Sequence, residues 1–327
     1  MNDYKIFIGP MSKNVVDATI DFCNDTNNNV GLIPSRRQIE FDGGYSNNWK
    51  TKTFCEYVNN LTNKIILQRD HAGPEQGKNI DDGYESLIED CKYFNIIHID
   101  PWKKHSTYEE GLLSTISMIN FCSSKNSNLL YEVGTEESIR PFTYLELDKF
   151  LKDLKSKLSK EVFDRIIYVV IQSGTSLNRN NQTGNYDSNR LKDMITVCKR
   201  YNKLSKEHNG DYIPFNVIKE KFNFGLDSIN IAPEFGLIET NTYLSIIDDD
   251  LIFDKYWKMC YDSKKWVKWV DEKFDPFNNK KELIKICGHY ILSSDDFIEQ
   301  IKSNITKDID SIVKSNIKNK LNELCLI

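Results

Sequence analysis

Three of the chain's five histidines stand where short apolar runs give way to polar residues. His71 follows Asp70 in IILQRDHAGP (65–74), His98 lies in IIHIDPW (96–102), and His208 lies in LSKEHNGDY (204–212). A further run, LLYEVGTEES (129–138), carries Glu132 and ends in Glu136 and Glu137. Neutral imidazoles together with a carboxylate suit a divalent cation, Zn²⁺ first, with Mn²⁺ or Co²⁺ as substitutes, and they leave positions for substrate oxygens. Their spacing is not a local motif such as HExxH, so the fold must gather them. His71, His208 and Glu136 are read as ligands, with His98 either a further ligand or a residue that orients one. His105 and His289 are assigned no role.

Asp70 and His71 are neighbours, and in a regular strand they would face opposite ways. The expectation is that the strand stops there and the AGP turn lets both reach one place, a metal ligand beside a proton-transfer carboxylate. Of Arg36 and Arg37, one is expected to contact an anion, guanidinium being suited to phosphate or carboxylate, with an ion pair to Glu40 or Asp42 as the alternative. Further polar residues at the ends of apolar runs are candidates for substrate binding: Gln38, Arg69, Asp100, Gln172, Ser173, Asn209, Asp211 and Glu234. Lys206 would suit a Schiff base, but its acidic, hydrophilic neighbours disfavour that chemistry.

These residues need elements to position them. Eight short runs, at 4–9, 30–34, 64–68, 95–99, 129–133, 166–171, 202–207 and 228–232, have the composition of strands buried on both faces, the run at 202–207 least clearly. Stretches with helical spacing separate them, at the pace of repeated βα units. The pattern predicts a (β/α)₈ TIM barrel over residues 1–240, with an open doubly wound sheet as the alternative. In a barrel the carboxyl ends of all strands meet at one mouth, which would bring the three histidines together. Residues 241–327 read as helical throughout, a C-terminal helical extension packed on the barrel, with SSDDF as a helix start.

Composition narrows the function. A net charge of −5 over 327 residues provides no basic surplus for a nucleic-acid backbone. No run approaches the roughly 20 apolar residues that span a bilayer, and the first residues lack the layout of a signal peptide. Eight scattered cysteines without a CxxC pair read as reduced, buried thiols, and the location expected is cytoplasmic.

Seven segments in order, QIEFDGGY, RDHAGP, IHIDPW, YEVGTEE, VVIQSGTSL, KEHNGDY and INIAPEFG, resemble the family of the non-catalytic subunit of class II tagatose-bisphosphate aldolase. The resemblance implies a TIM barrel related to the metal-dependent class II aldolases and to ketose 4-epimerases. It implies Asp70 as the catalytic acid–base group, with Glu207 or Glu132 as a second candidate, and His71, Glu136 and His208 as ligands. Gln172 stands near the position where a class II aldolase carries another ligand histidine. The activity expected is aldol or retro-aldol chemistry on a ketose or ketose phosphate. The alternatives are a non-catalytic subunit that stabilises a separate aldolase chain, and another metal-dependent sugar isomerase. The partners implied are a small sugar or sugar phosphate and either further copies of the chain or an aldolase subunit.

Overall fold

The computed structural model describes residues 3–105, 107–178 and 181–327. The strands are β1 (Ile6–Ile8), β2 (Val30–Leu32), β3 (Ile65–Ala72), β4 (Ile96–Ile99), β5 (Leu130–Val133), β6 (Ile166–Ile171), a small antiparallel hairpin of β7 (Leu177–Asn178) and β8 (Asn181–Gln182), then β9 (Leu204–Glu207) and β10 (Ser228–Ile231). All but the hairpin are parallel and close into a barrel, β10 returning to β1 with Ile6 opposite Ile229 and Ile8 opposite Ile231. Each barrel strand coincides with one of the eight apolar runs, including the weak one at 202–207. This is the (β/α)₈ barrel that the pattern predicts, and the open sheet is excluded.

Helices α1 (Lys13–Thr26), α2 (Thr51–Leu61), α3 (Tyr84–Tyr93), α4 (Tyr108–Lys125), α5 (Tyr144–Lys157) with the short α6 (Lys160–Asp164), α7 (Ser188–Arg200), α8 (Phe215–Asn223) and α9 (Pro233–Ile246) follow the strands. Ser12, Thr107, Thr143 and Asp187 accept backbone N–H groups at the starts of α1, α4, α5 and α7. One strand face packs on the helices through residues such as Ile8, Leu32, Leu67, Ile97, Val133 and Ile231. Phe7, Ile33, Ile66, Ile96 and Tyr168 form a separate apolar cluster inside the barrel. Gly31 leaves no room for a Cβ against the Phe7 ring, so glycine is what admits that plug.

The extension holds α10 (Asp250–Asp262), α11 (Lys280–Cys287), α12 (Asp295–Gln300) and α13 (Ile309–Leu324), with Ser294 capping α12 as SSDDF predicts. It is not helical throughout. Between α10 and α11 only a 3₁₀ turn at Val267–Trp269 forms, and Lys264 turns left-handed with φ 55°. Aromatic packing there replaces helical periodicity: Trp257 on Tyr261 at 5.5 Å, and Tyr261 on Trp266 at 5.9 Å. The tail also breaks, because Asp308 starts a second helix by accepting the N–H of Ser311. α13 packs on α1 and α9, and α9 runs unbroken through residue 240, so the change of pattern falls inside a helix. All eight cysteines are free thiols, seven of them buried. Among the described residues no helix is long and apolar enough to cross a membrane.

Arg69 does not bind substrate in this fold. It points from β3 toward the helices, pairs with Asp90 at 3.0 and 2.8 Å, donates to Pro34 O and Ile39 O, and lies over the Phe94 ring at 4.7 Å. Arg69→Ala leaves Asp90 buried without its partner, so unfolding free energy measured in urea is expected to fall by about 3–5 kcal/mol. A loss below about 1 kcal/mol would contradict this account.

Candidate functional site

The strand bearing Asp70 and His71 does not stop at them. β3 continues to Ala72, but its register against β4 slips between Arg69 and Ala72, and His71 takes a left-handed φ of 45°. A bulge of this kind re-aims side chains, and a non-glycine residue there stores backbone strain of about 1–3 kcal/mol. The bulge, rather than a turn, sets both side chains at one place.

Asp70, His71, His98 and His208 offer ligand atoms that all lie within 4.8 Å of one another. The imidazole centroids are 5.0, 5.3 and 5.0 Å apart. Each ring has one nitrogen committed to an oxygen behind it. His71 Nδ1 meets Asp100 Oδ2 at 2.6 Å, His98 Nε2 meets Gly134 O at 3.1 Å, and His208 Nε2 meets Glu132 Oε1 at 2.6 Å. Such acceptors fix the tautomer and leave the opposite nitrogens of His71 and His208, with their lone pairs, for the cluster, while that of His98 accepts the backbone N–H of His71. His98 Nδ1 faces the backbone N–H of His71 at 3.2 Å and Asp70 Oδ1 at 3.3 Å, while His71 Nε2 stands 3.6 Å from Asp70 Oδ2.

A polar layer supports this group. Alternate inward residues run Ile66, Gln68, Asp70 along β3 and Leu204, Lys206, His208 along and past β9, stepping from the apolar plug to the mouth. Glu132, fully buried, accepts from Lys206 Nζ at 2.9 Å and Gln68 Nε2 at 2.7 Å as well as from His208. Lys206 also bonds Gln68 Oε1 at 2.8 Å and sits 3.4 Å over the Phe7 ring, so its ammonium is committed. With the imidazoles neutral, the carboxylates of Asp70, Asp100 and Glu132 against the one ammonium of Lys206 leave two negative charges, which a divalent cation would balance. The donor types and this balance both fit such an ion.

The electrostatics agree. Burial opposes charge on His71, but Asp70 and Asp100 outweigh it and lift the imidazole to about 10. Burial would also raise Asp70 and Glu132, yet His71 beside the first, and Lys206 with His98 beside the second, hold both below the usual carboxylate range. The site favours positive charge at its centre.

The other expected residues are placed differently. Glu136 is outside the group of four; its carboxylate accepts from Ser138 at 2.6 Å. Alternation along β9 sends Glu207 to the helix side, where Lys221 at 2.6 Å, Thr175 at 3.0 Å and Ser173 occupy it, so neither Glu207 nor Ser173 reaches the mouth. Glu132 is inside, with both oxygens engaged. Asp100 backs His71, also accepting from Thr135 at 3.2 Å, instead of facing substrate. Arg36 is the ion pair and not the anion contact: it holds Glu40 at 2.6 Å, Asp81 at 2.6 Å and Gly73 O at 2.9 Å. Gln38 is used locally, accepting Ser35 N–H at 2.8 Å. Gln172 ties together Thr135 O, Arg140 O, Phe142 N and Arg190. Asp211 accepts from Ala232 N at 2.9 Å and Glu234 N at 2.7 Å, Glu234 pairs with Lys320 at 2.9 Å, and Asn209 lies half-buried beside His208 with φ 59°.

Asn230 escapes a sequence reading. Ile229 and Ile231 belong to the outer core, so Asn230 between them faces the barrel interior, in register with Phe7. It is buried, and neither amide atom has a partner among the described residues. A lone Asn inside the apolar run SINIA was the available signal.

No protein-family model matches the sequence, and no curated protein matches it. Solved structures do match in fold. A probable tagatose 6-phosphate kinase from Sinorhizobium meliloti superposes with a TM-score of 0.76 at 14% identity, covering 98% of each chain. A fructuronate-tagaturonate epimerase from Cohnella laeviribosi gives 0.66 at 10% identity, covering 99% of this chain and 81% of that one. A fructose-bisphosphate aldolase from Campylobacter jejuni gives 0.59 at 13% identity, covering 100% and 91%. The fold is shared. It is the fold of sugar aldolases and of a ketose epimerase, as the family resemblance implies.

His71→Ala and His208→Ala are each expected to lose zinc bound by the wild type, and Asp100→Asn to weaken it by about 10–100-fold, measured by competition with a chromophoric chelator. Stoichiometric zinc in the double alanine variant would end the assignment. A second expectation concerns Asp211, pushed up to about 8 by burial and by the charge of Glu234. Between the unfolded value near 4 and that folded value the native state holds the extra proton, so this carboxyl lowers stability as pH rises through the window. Asp211→Asn keeps the accepting oxygen, so its melting temperature relative to wild type should climb from pH 5 to pH 8.5. A difference independent of pH would refute the assignment.

Proposed function

We propose that the protein is a metal-dependent enzyme that carries out aldol and retro-aldol chemistry on a ketose or ketose phosphate, as an aldolase or a 4-epimerase. Zn²⁺ is the first candidate for the cation, with Mn²⁺ and Co²⁺ as substitutes. One observation carries this reading: three imidazoles, each with its far nitrogen held by a buried oxygen, converge beside the carboxylate of Asp70 at the barrel mouth. His71, His98 and His208 would hold the ion, which when bound supplies Lewis acidity toward the carbonyl and hydroxyl oxygens of a ketose.

The chain's own groups account for the rest. Asp70 is ionised and 13% exposed, so it can accept the proton of a substrate C4 hydroxyl and later return it. As that proton leaves, the C4 oxygen becomes an aldehyde carbonyl, the C3–C4 bond breaks, and its electron pair passes toward the C2 carbonyl to leave an enediolate. An aldehyde that leaves makes the reaction an aldolase's; one that turns over and is re-added inverts C4. Asn230 has both a donor and an acceptor free for a substrate hydroxyl in the interior. Glu132, Asp100 and the Gly134 carbonyl keep the imidazoles in place. The fold shared with sugar aldolases and an epimerase supports the same chemistry.

Zinc-loaded protein incubated with ketoses and ketose phosphates should show C4 inversion or release of a three-carbon product by NMR. Asp70→Asn should retain zinc and its melting temperature while turnover falls by about 10²–10⁴-fold. Near wild-type turnover in that variant would remove Asp70 from the chemistry.

A further inference from the structure

Two of the three imidazoles at the mouth can receive an ion as they stand, and the third is engaged. His71 Nε2 faces an acceptor, Asp70 Oδ2, at 3.6 Å. Among the described residues no donor reaches the nitrogen of His208 opposite its bond to Glu132. His98 differs from both. Its Nε2–H donates to Gly134 O at 3.1 Å, so its one lone pair lies on Nδ1, and that lone pair accepts the backbone N–H of His71 at 3.2 Å.

An amide hydrogen and a metal ion cannot share this nitrogen. With the donor at 3.2 Å, the hydrogen lies roughly 2.2 Å from Nδ1. A zinc ion bound there would lie about 2.0–2.1 Å away. Both would claim one lone pair and one small volume, and both are positive. A second contact at the same atom points to a cation. Asp70 Oδ1 stands 3.3 Å from Nδ1, and with the lone pair on that nitrogen this is an acceptor facing an acceptor, which a positive ion between them relieves.

The N–H in question belongs to the bulge of β3. His71 is left-handed with φ 45°, and the strand slips against β4 between Arg69 and Ala72. The chain to either side is pinned, Asp70 N–H to Pro34 O at 3.0 Å and Asp100 N–H to Ala72 O at 2.8 Å. Adjustment is thereby confined to the residue between them. The bond to His98 helps hold His71 in a backbone region that favours glycine, so losing that bond frees the bulge to change.

We propose that the His71 N–H is a place-holder at His98. It caps Nδ1 in the cation-free protein, and an ion coordinated by His98 displaces it, so that loading the site shifts the bulge that carries Asp70. This rests on the reading of the mouth as a metal site. His71 and His208 receive the ion with lone pairs already exposed, and His98 joins them only as the amide gives way. The carboxylate assigned to proton transfer then takes its working position together with the ion.

The test is NMR of ¹⁵N-labelled protein, cation-free and then with a stoichiometric amount of zinc, uptake being measured separately with a chromophoric chelator. In the cation-free protein a scalar coupling across the N–H···N bond should join His71 N to His98 Nδ1. Zinc should abolish that coupling and shift both the Nδ1 resonance and the His71 amide. Zinc uptake with the coupling intact would overturn the proposal and leave the metal reading standing, with His98 behind the ion instead of on it. Absence of the coupling from the cation-free protein would overturn it as well. No zinc uptake at all would remove the metal reading, and this inference with it.

Discussion

Charge buried inside the barrel has to be balanced, and much of the molecule's interior follows from that constraint. Glu132 has no contact with solvent, yet it stays ionised because Lys206, Gln68 and His208 converge on its two oxygens. The ammonium of Lys206 in turn rests on the ring of Phe7, which occupies the space that Gly31 leaves. The same stack thus links an apolar plug to an orienting carboxylate and a directed imidazole. Removing charge from any one level would leave another group buried without its partner, which is far more costly than losing a surface pair.

A similar economy explains why so many polar residues at strand ends are not at the mouth. Loops that cross the end of a barrel carry backbone groups that must be satisfied and charges that must be paired. Arg36 joins the loop after β2 to the loop after β3 through Asp81 and Gly73 O. Gln172 does the same between the connections after β5 and β6. Glu207 and Lys221 pin β9 to α8. These residues resemble candidates for catalysis because the types used to recognise substrates are also the ones that satisfy buried backbone.

The proposed centre differs from what the family resemblance implies in one respect. Glu136 stays outside, and His98 takes a place in the group, its ring turned by the Gly134 carbonyl. A cluster with three imidazole nitrogens would keep the preference for a borderline cation, so the chemical class of the proposed site survives the exchange.

The pairing of β10 with β1 was needed to decide for a closed barrel over an open sheet, but periodicity placed all eight strands, since strands buried on both faces must be apolar runs. It came closest to failing at β9, where Lys206 and Glu207 are buried as ion pairs and depress the hydropathy that marks a strand. The histidines at strand ends were legible because closure of a barrel brings all such ends together. What only the tertiary structure decided is which way each side chain faces. A register slip beside a left-handed His71 reverses the alternation that separates Asp70 from His71, and Glu207 turns away while Lys206 and His208, one residue to either side, turn in. Facing is set by strand pairing between distant segments, and those pairings leave no trace in local composition.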